Sequence, residues 1–227
     1  DRRGESRVAT SISSSPRAEK SATYALAAEI LNGAQAAGAE TETVQLAGKK
    51  LGFCHACEAC HRGAMTCPLK DDAHNVIMKM LNADGIVFAT PNYINQVAAP
   101  MKALMDRTSN HIHCQRFLGK YTASAVTSGS GHNAMVGDYI AAYGRLCGAQ
   151  SSGAVSCGPV PQEPQLKEAF ALGAKLAVDI RNKTVYAEQV SEIETRRRYF
   201  AEIIKRRKAE WDGEYHYYAE KGWLTGV

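Results

Sequence analysis

The sequence predicts an α/β domain: a doubly wound, five-stranded parallel sheet with an inserted cysteine loop and a C-terminal helical extension. Three observations carry this. Short apolar runs alternate with helix-periodic segments up to about residue 180, the order that parallel sheets require. Polar or glycine-containing loops follow three of the predicted strands, at 13–23, 90–96 and 128–133, where open α/β sheets bind ligands. Four of the seven cysteines crowd into fourteen positions between the second strand and the second helix.

The elements follow in order. Residues 7–12, starting at Arg7, read as a buried strand, and 13–17 (Ser-Ser-Ser-Pro-Arg) as a turn. Leu26, Ala27, Ile30, Leu31 and Ala34 recur at helical spacing, and Gly38 closes that helix. Residues 41–46 alternate as a strand. The cysteine loop, 53–70, follows. Asp71 or Asp72 caps a helix that buries Val76, Ile77, Met80 and Leu81. The continuous apolar run 85–89 suits a central parallel strand. Pro100 opens a helix bearing Met101, Leu104 and Met105. A strand at 121–127, a helix at 134–146, a strand at 151–156 and a helix facing inward through Leu166, Phe170, Ala174, Ala177 and Ile180 complete the domain, 1–187.

The extension, 188–227, has no sheet signal. Tyr199, Phe200, Ile203, Ile204 and Trp211 form an apolar stripe beside basic blocks at 196–198 and 205–208. Such a stripe needs an apolar partner, which a subunit interface would supply. A basic arm for an acidic partner is the alternative, and a solvated basic face on a docked helix the plainer expectation.

Composition narrows the function. The chain has 227 residues, 45% hydrophobic and 22% charged, with a net charge of +4. That charge is too mild to argue for nucleic acid. No apolar run reaches the roughly 18 residues that span a bilayer, so no membrane association is expected. Residues 1–4 are polar, without a hydrophobic signal segment. Clustered thiols in such a chain suggest metal in a reducing compartment, and the expected location is cytoplasmic. No Ser-His-Asp set, paired-carboxylate motif or P-loop points to hydrolysis or phosphoryl transfer.

The cysteine loop reads Cys54-x2-Cys57-x2-Cys60-x6-Cys67-Pro68. A compact turning loop can bring four thiolates around an iron–sulfur cube, and three cysteines at x2 spacing resemble the start of a bacterial ferredoxin run. Structural zinc also uses four thiolates, though more often as two separated pairs. A redox disulfide is a third use. His55 and His61 are expected to be solvent-facing neighbours. Cys114, Cys147 and Cys157 read as buried thiols that pack as small hydrophobes. The hydroxyl-rich turn after the first strand makes a phosphate seat, because backbone N–H groups and the helix dipole point at it, although such a turn is commonly only a helix cap.

Together these segments form an ordered series. It runs from Ser13-x-Ser15-Pro16-Arg17 through the cysteines and Asp71-Asp72 to residues 83–93 (ADGIVFATPNY) and 100–107 (PMKALMDR). Over residues 7–180 this resembles the NADPH-dependent FMN reductase family, flavodoxin-like in fold, and most of all its iron–sulfur flavoprotein branch. The resemblance implies a redox flavoprotein that uses FMN and a [4Fe-4S] cluster. It implies that Ser13, Ser15, Arg17, Ser21 and Thr23 surround the phosphate. Pro91, Asn92, Tyr93, Ile94 and Asn95 line the ring, and Ser128, Gly129, Gly131 and His132 close the other side. His132 is equally an ordinary loop histidine. Cys54, Cys57, Cys60 and Cys67 hold the metal. The resemblance further implies a homodimer or homotetramer, with ferredoxin or NAD(P)H as electron donor. An NAD(P)H-dependent FMN or quinone reductase with a zinc or empty cysteine site is the alternative. The family usually has Gly where this chain has Ser14, and Asn-Thr near Ser21-Ala22, so the phosphate contacts are expected to be rearranged.

Overall fold

The computed structural model describes residues 8–63 and 65–224; Arg7, the expected start of the first strand, and the end of the extension lie outside them. The strands are β1 (Val8–Ser13), β2 (Glu40–Gln45), β3 (Gly85–Tyr93), β4 (Gln96–Val97), β5 (Tyr121–Thr127) and β6 (Gln150–Cys157). The helices are α1 (Ala22–Ala36), α2 (Ala73–Asn82), α3 (Ala99–Asp106), α4 (Ser109–His113), α5 (Asn133–Leu146), α6 (Glu163–Asn182), α7 (Ala187–Arg206) and α8 (Asp212–Glu220). Five strands form the parallel sheet in the order β2-β1-β3-β5-β6, and β4 pairs antiparallel with the end of β3. The chain therefore reverses direction across the sheet between β1 and β3, where the connecting loops part and leave a crevice.

β3 shows why the sheet is central. Its residues alternate between two cores, with Ile86 and Phe88 on one face and Val87 and Ala89 on the other. The first face is covered by α2, α3 and α5, the second by α1 and α6. On the second face the strands present small residues, among them Ala9, Ala123 and Ala125, and the two helices cross backbone to backbone. A Cβ on Gly33 would lie 1.9 Å from the Phe170 carbonyl oxygen, and one on Gly173 would lie 1.7 Å from that of Ile30.

This crossing corrects the expected face of α6. Phe170 is exposed and Ala174 half-buried, while Ala169, Leu172, Gly173, Leu176, Ala177 and Ile180 point inward. An aromatic ring in the seam would hold the helices apart. The extension is also settled: Phe200, Ile204, Trp211 and Tyr218 bury against Cys114 and Ile112 of the same chain. Gln115 Nε2 donates to the Ile193 carbonyl at 2.6 Å, and Arg145 pairs with Glu192 at 2.6 Å. Phe200, Ile204 and Trp211 of the stripe are thus covered within the chain, Ile203 is partly buried, and Tyr199 is exposed. Among the described residues no helix is long and apolar enough to cross a membrane.

Candidate functional site

Two neighbouring regions at the carboxyl edge of the sheet carry the chemistry-bearing residues. The first is the crevice formed by the loops after β1, β3 and β5. Parallel register aligns Ser13 with Ala89, and Pro91 with Thr127, so the three loops leave the sheet side by side. Three bonds tie them together. Ser14 N–H donates to the Ala89 carbonyl at 2.9 Å, Asn92 Nδ2 to the Gly131 carbonyl at 2.9 Å, and the hydroxyls of Thr23 and Thr127 meet at 2.6 Å. Sequence spacing expected this convergence.

The polar groups divide into those already engaged and those left over. Ser21 is the N-cap of α1: its hydroxyl accepts from Tyr24 N–H and donates to the Ala18 carbonyl. Thr23 is committed to Thr127, and Arg17 is exposed. By contrast, the buried Ser13 Oγ has no hydrogen-bond partner, and the N–H groups of Ser15 and Arg17 find no acceptor among the described residues. They adjoin the first turn of a fifteen-residue helix, where orphan N–H groups and the dipole favour an anion. Ser14 replaces the family's glycine without strain, because its φ is not among the positive ones. The buried Asn92 Oδ1 is likewise unpartnered. A buried polar atom left unpaired costs free energy unless something binds it. These leftovers suit FMN, with an anionic phosphate at one end and a polar-edged ring at the other. Gly129 and Gly131 face open space, and His132 is exposed.

The ring-lining segment differs from the expected loop. β3 continues through Pro91, Asn92 and Tyr93, then turns at Ile94 and Asn95 and returns as β4. Both turn residues are left-handed, with φ of 54° and 58°, the arrangement that favours Asn-Gly in two-residue hairpins. A β-branched residue there is strained, and Ile94 is also 99% exposed. Strain plus exposure marks a residue kept for what it touches. Ile94→Asn is expected to raise stability by about 1 kcal/mol and to weaken FMN binding. Urea unfolding and flavin titration check both, and unchanged stability would count against the strain.

The second region is the cysteine loop. Its neck is closed by carboxylates: Asp72 Oδ2 accepts from Lys50 N–H at 2.7 Å and Asp71 Oδ2 from Gly52 N–H at 2.7 Å. Asp72 stands at the N-cap of α2 without a side-chain capping bond, and Asp71, one residue before it, accepts from Ala73 N–H through Oδ1 while holding the neck. Within the loop, Cys54, Cys57, Cys60 and Cys67 all line one pocket of about 320 Å³. Arg107, nearly fully buried, binds both oxygens of Asp71, donates to the Gly52 carbonyl and points Nε at Cys67 Sγ, 3.1 Å away. Cys60 Sγ lies 3.5 Å from Ser109 Oγ. Burial opposes the Cys60 thiolate, but hydrogen bonds from His61 and Ser109 and the charge of His61 outweigh it and lower the thiol's pKa. These donors suit thiolate ligands.

Sequence reasoning missed three residues here. His61 was expected to face solvent. It is buried, with Nδ1 2.5 Å from Glu214 Oε1 and its ring stacked on Trp211 and His113. Burial pulls its pKa down, but Cys60 and Glu214 pull harder and raise it to about 9. Arg107 and Glu214 carried no local signal, since their partners are 36 or more residues away. His55 is exposed as expected, and Cys114, Cys147 and Cys157 are buried thiols whose pKa values burial raises.

A pH dependence follows at the neck. The Arg107 hydrogen bond holds Asp71 below the usual carboxylate range. A depressed carboxyl contributes stability above its unfolded pKa of about 3.9, and that stability is lost as pH falls through the folded value. The loop is therefore expected to loosen in acid, below about pH 4. Protease cleavage within 53–70 would report it. Asp71→Asn should show the loosened state at neutral pH; a variant with the wild-type profile would refute this.

The comparisons with known proteins agree with this geometry. The family model of NADPH-dependent FMN reductases matches residues 9–149. An iron–sulfur flavoprotein of Methanocaldococcus jannaschii is 42% identical over 97 residues, 43% of this chain and 49% of the relative, so that match spans about half of the relative's length. An iron–sulfur flavoprotein of Archaeoglobus fulgidus is 28% identical over 221 residues, 95% of this chain and 99% of the relative. The solved structure of a WrbA-like flavodoxin from Agrobacterium tumefaciens superposes with a TM-score of 0.56 at 16% identity, covering 79% of this chain and all of that one, which speaks to the fold alone. A flavodoxin-like sheet and a four-thiol loop, set beside the family match, place the chain in the NADPH-dependent FMN reductase family as an FMN-dependent oxidoreductase, and the curated relatives it resembles are iron–sulfur flavoproteins.

Proposed function

We propose that this protein passes electrons between FMN, seated in the strand-end crevice, and a [4Fe-4S] cluster held by Cys54, Cys57, Cys60 and Cys67. The observation that carries the reading is the gathering of all four thiols around one pocket, with a buried guanidinium donating to one of them.

When bound, FMN supplies one- and two-electron chemistry and the cluster one-electron chemistry, which lets carriers of the two kinds exchange electrons. The chain's own residues bind and tune. The first turn of α1, Ser13, Ser15 and Arg17 hold the phosphate. Asn92, Tyr93 and Ile94 orient the ring. Arg107 and Ser109 stabilise charge on Cys67 and Cys60. Ferredoxin or NAD(P)H serves as electron donor. A homodimer or homotetramer, in which one subunit's cluster approaches another's flavin, completes the reading. The setting is cytoplasmic.

Anaerobic purification tests it: a brown protein with iron and sulfide near four per chain and about one FMN is expected. Zinc without iron, together with rapid bleaching of the flavin by NADPH, would replace this with an NAD(P)H-dependent FMN or quinone reductase. That second reading draws on the open space beside Gly129 and Gly131, which leaves the crevice accessible to a substrate.

A further inference from the structure

The C-terminal helices meet the cysteine loop at three independent points. First, Glu58 stands between Cys57 and Cys60 with a left-handed backbone, φ 56°. Its carboxylate accepts from Arg207 Nη2 at 3.0 Å and from Trp211 Nε1 at 3.0 Å, while the Arg207 guanidinium stacks over the Trp211 ring. Second, Glu214, fully buried in the first turn of α8, hands one oxygen to His61 Nδ1 and the other to His113 Nδ1. The two imidazoles lie nearly parallel, 15° apart and 4.7 Å between centres. Each therefore meets its own carboxylate oxygen. Third, Gly213 packs its backbone on the loop: a Cβ there would sit 2.5 Å from the Arg62 carbonyl carbon and 2.7 Å from Gly63 N.

We propose that α8 and the turn leading into it from α7 are a built-in clasp for the cysteine loop, with Glu58 and Glu214 as positioning residues that hold the four thiols in a receptive arrangement. The physical case is one of entropy and strain. A loop bearing non-glycine residues at φ 52° and 56°, Ala56 and Glu58, sits in a conformation that costs free energy by itself. Such backbone persists where the surroundings over-determine it. Here the surroundings are 149 and 153 residues away in sequence, so the clasp exists only when the extension is docked. A loop ordered in advance spends less of the binding free energy on its own ordering. This deepens the reading of the loop as a cluster site and rests on it for the iron measurements below.

The test uses the full chain, prepared anaerobically, and the same protein after iron removal by a chelator. Glu58→Gly relaxes the left-handed backbone but deletes the carboxylate. Trp211→Phe keeps an aromatic ring but removes the N–H together with the pyrrole half of the indole. Glu58→Gln keeps an acceptor for Trp211. Glu214→Gln removes the buried charge. Expected for Glu58→Gly and Trp211→Phe are amide hydrogen exchange at 56–63 faster by about tenfold and iron loss to chelator faster by about tenfold, with FMN content unchanged. Glu58→Gln is expected to fall between these and wild type. It should also shift the cluster's reduction potential to a more positive value, because Arg207 then faces the loop uncompensated; a merely structural contact would leave the potential alone. If Glu214→Gln does not accumulate, Trp211→Phe decides the matter. Exchange and iron retention in Glu58→Gly at or above wild-type protection would overturn the clasp, because backbone conformation alone would then account for Glu58. Absence of iron in the wild-type protein would instead overturn the cluster reading, and the exchange measurements on metal-free protein would still decide the clasp.

Discussion

Gly173→Ala is expected to cost at least about 3 kcal/mol of stability, a large share of the roughly 5–15 kcal/mol available to a domain. The added Cβ would lie 1.7 Å from the Ile30 carbonyl oxygen, 2.7 Å from its carbon and 2.9 Å from Ala34 N. All three are backbone atoms of a helix, so no side-chain rotamer can give way. Either α1 and α6 separate or the helix bends, and both outcomes open gaps over the alanine-lined face of the sheet. Because α1 follows the turn proposed to hold the phosphate, FMN affinity is expected to fall along with stability. Gly129→Ala is the matched control: a Cβ there meets nothing within 4 Å, and a change within about 0.5 kcal/mol is expected. Urea unfolding of the two variants compares them directly. A Gly173→Ala protein with the wild-type midpoint would mean that the helices do not cross backbone to backbone.

The second large effect concerns metal. Serine at Cys54, Cys57, Cys60 or Cys67 is expected to reduce iron from about four per chain to below about one, because a hydroxyl is a harder and weaker ligand than a thiolate. FMN is expected to remain near one per chain, since none of the four lines the crevice. Cys114→Ser and Cys147→Ser should keep their iron: both thiols are fully buried, far too high in pKa to ionise, and absent from the pocket. Arg107→Met is expected to behave more like a ligand loss than a surface change. It strips a charged donor from Cys67 and leaves Asp71 with an unpaired charge at the loop neck, and breaking a pair of this kind by removing one partner costs about 3–5 kcal/mol when it is buried. Elemental analysis with flavin quantitation separates these cases. Retention of iron in Cys67→Ser would be the damaging result for the ligand assignment.

The corrections share a cause. Phe170 was placed on the inner face of α6 because apolar character at helical spacing is a local cue, yet the backbone crossing needed glycine and alanine there. The polar character of 90–96 reads as a loop; in the fold, Asn92 pairs with Val97 across a hairpin, and tertiary pairing overrides propensity. With four cysteines already completing a ligand set, His61 reads as a solvated neighbour, and its true partner is a carboxylate 153 residues away.

Short-range pattern can encode the alternation of strands and helices, the hydroxyl-rich turn before α1, and the x2-x2-x6 spacing of thiols on one loop. Periodicity and spacing are local quantities, and each of these features is complete within some thirty residues. Only the tertiary structure decided which polar groups stay unpaired in the crevice, that Arg107 serves Cys67, and that the extension closes over the cysteine loop through Glu58 and Glu214. Those are matches between charges and shapes on distant segments. No window of sequence contains both halves of such a match until folding brings them within hydrogen-bonding distance.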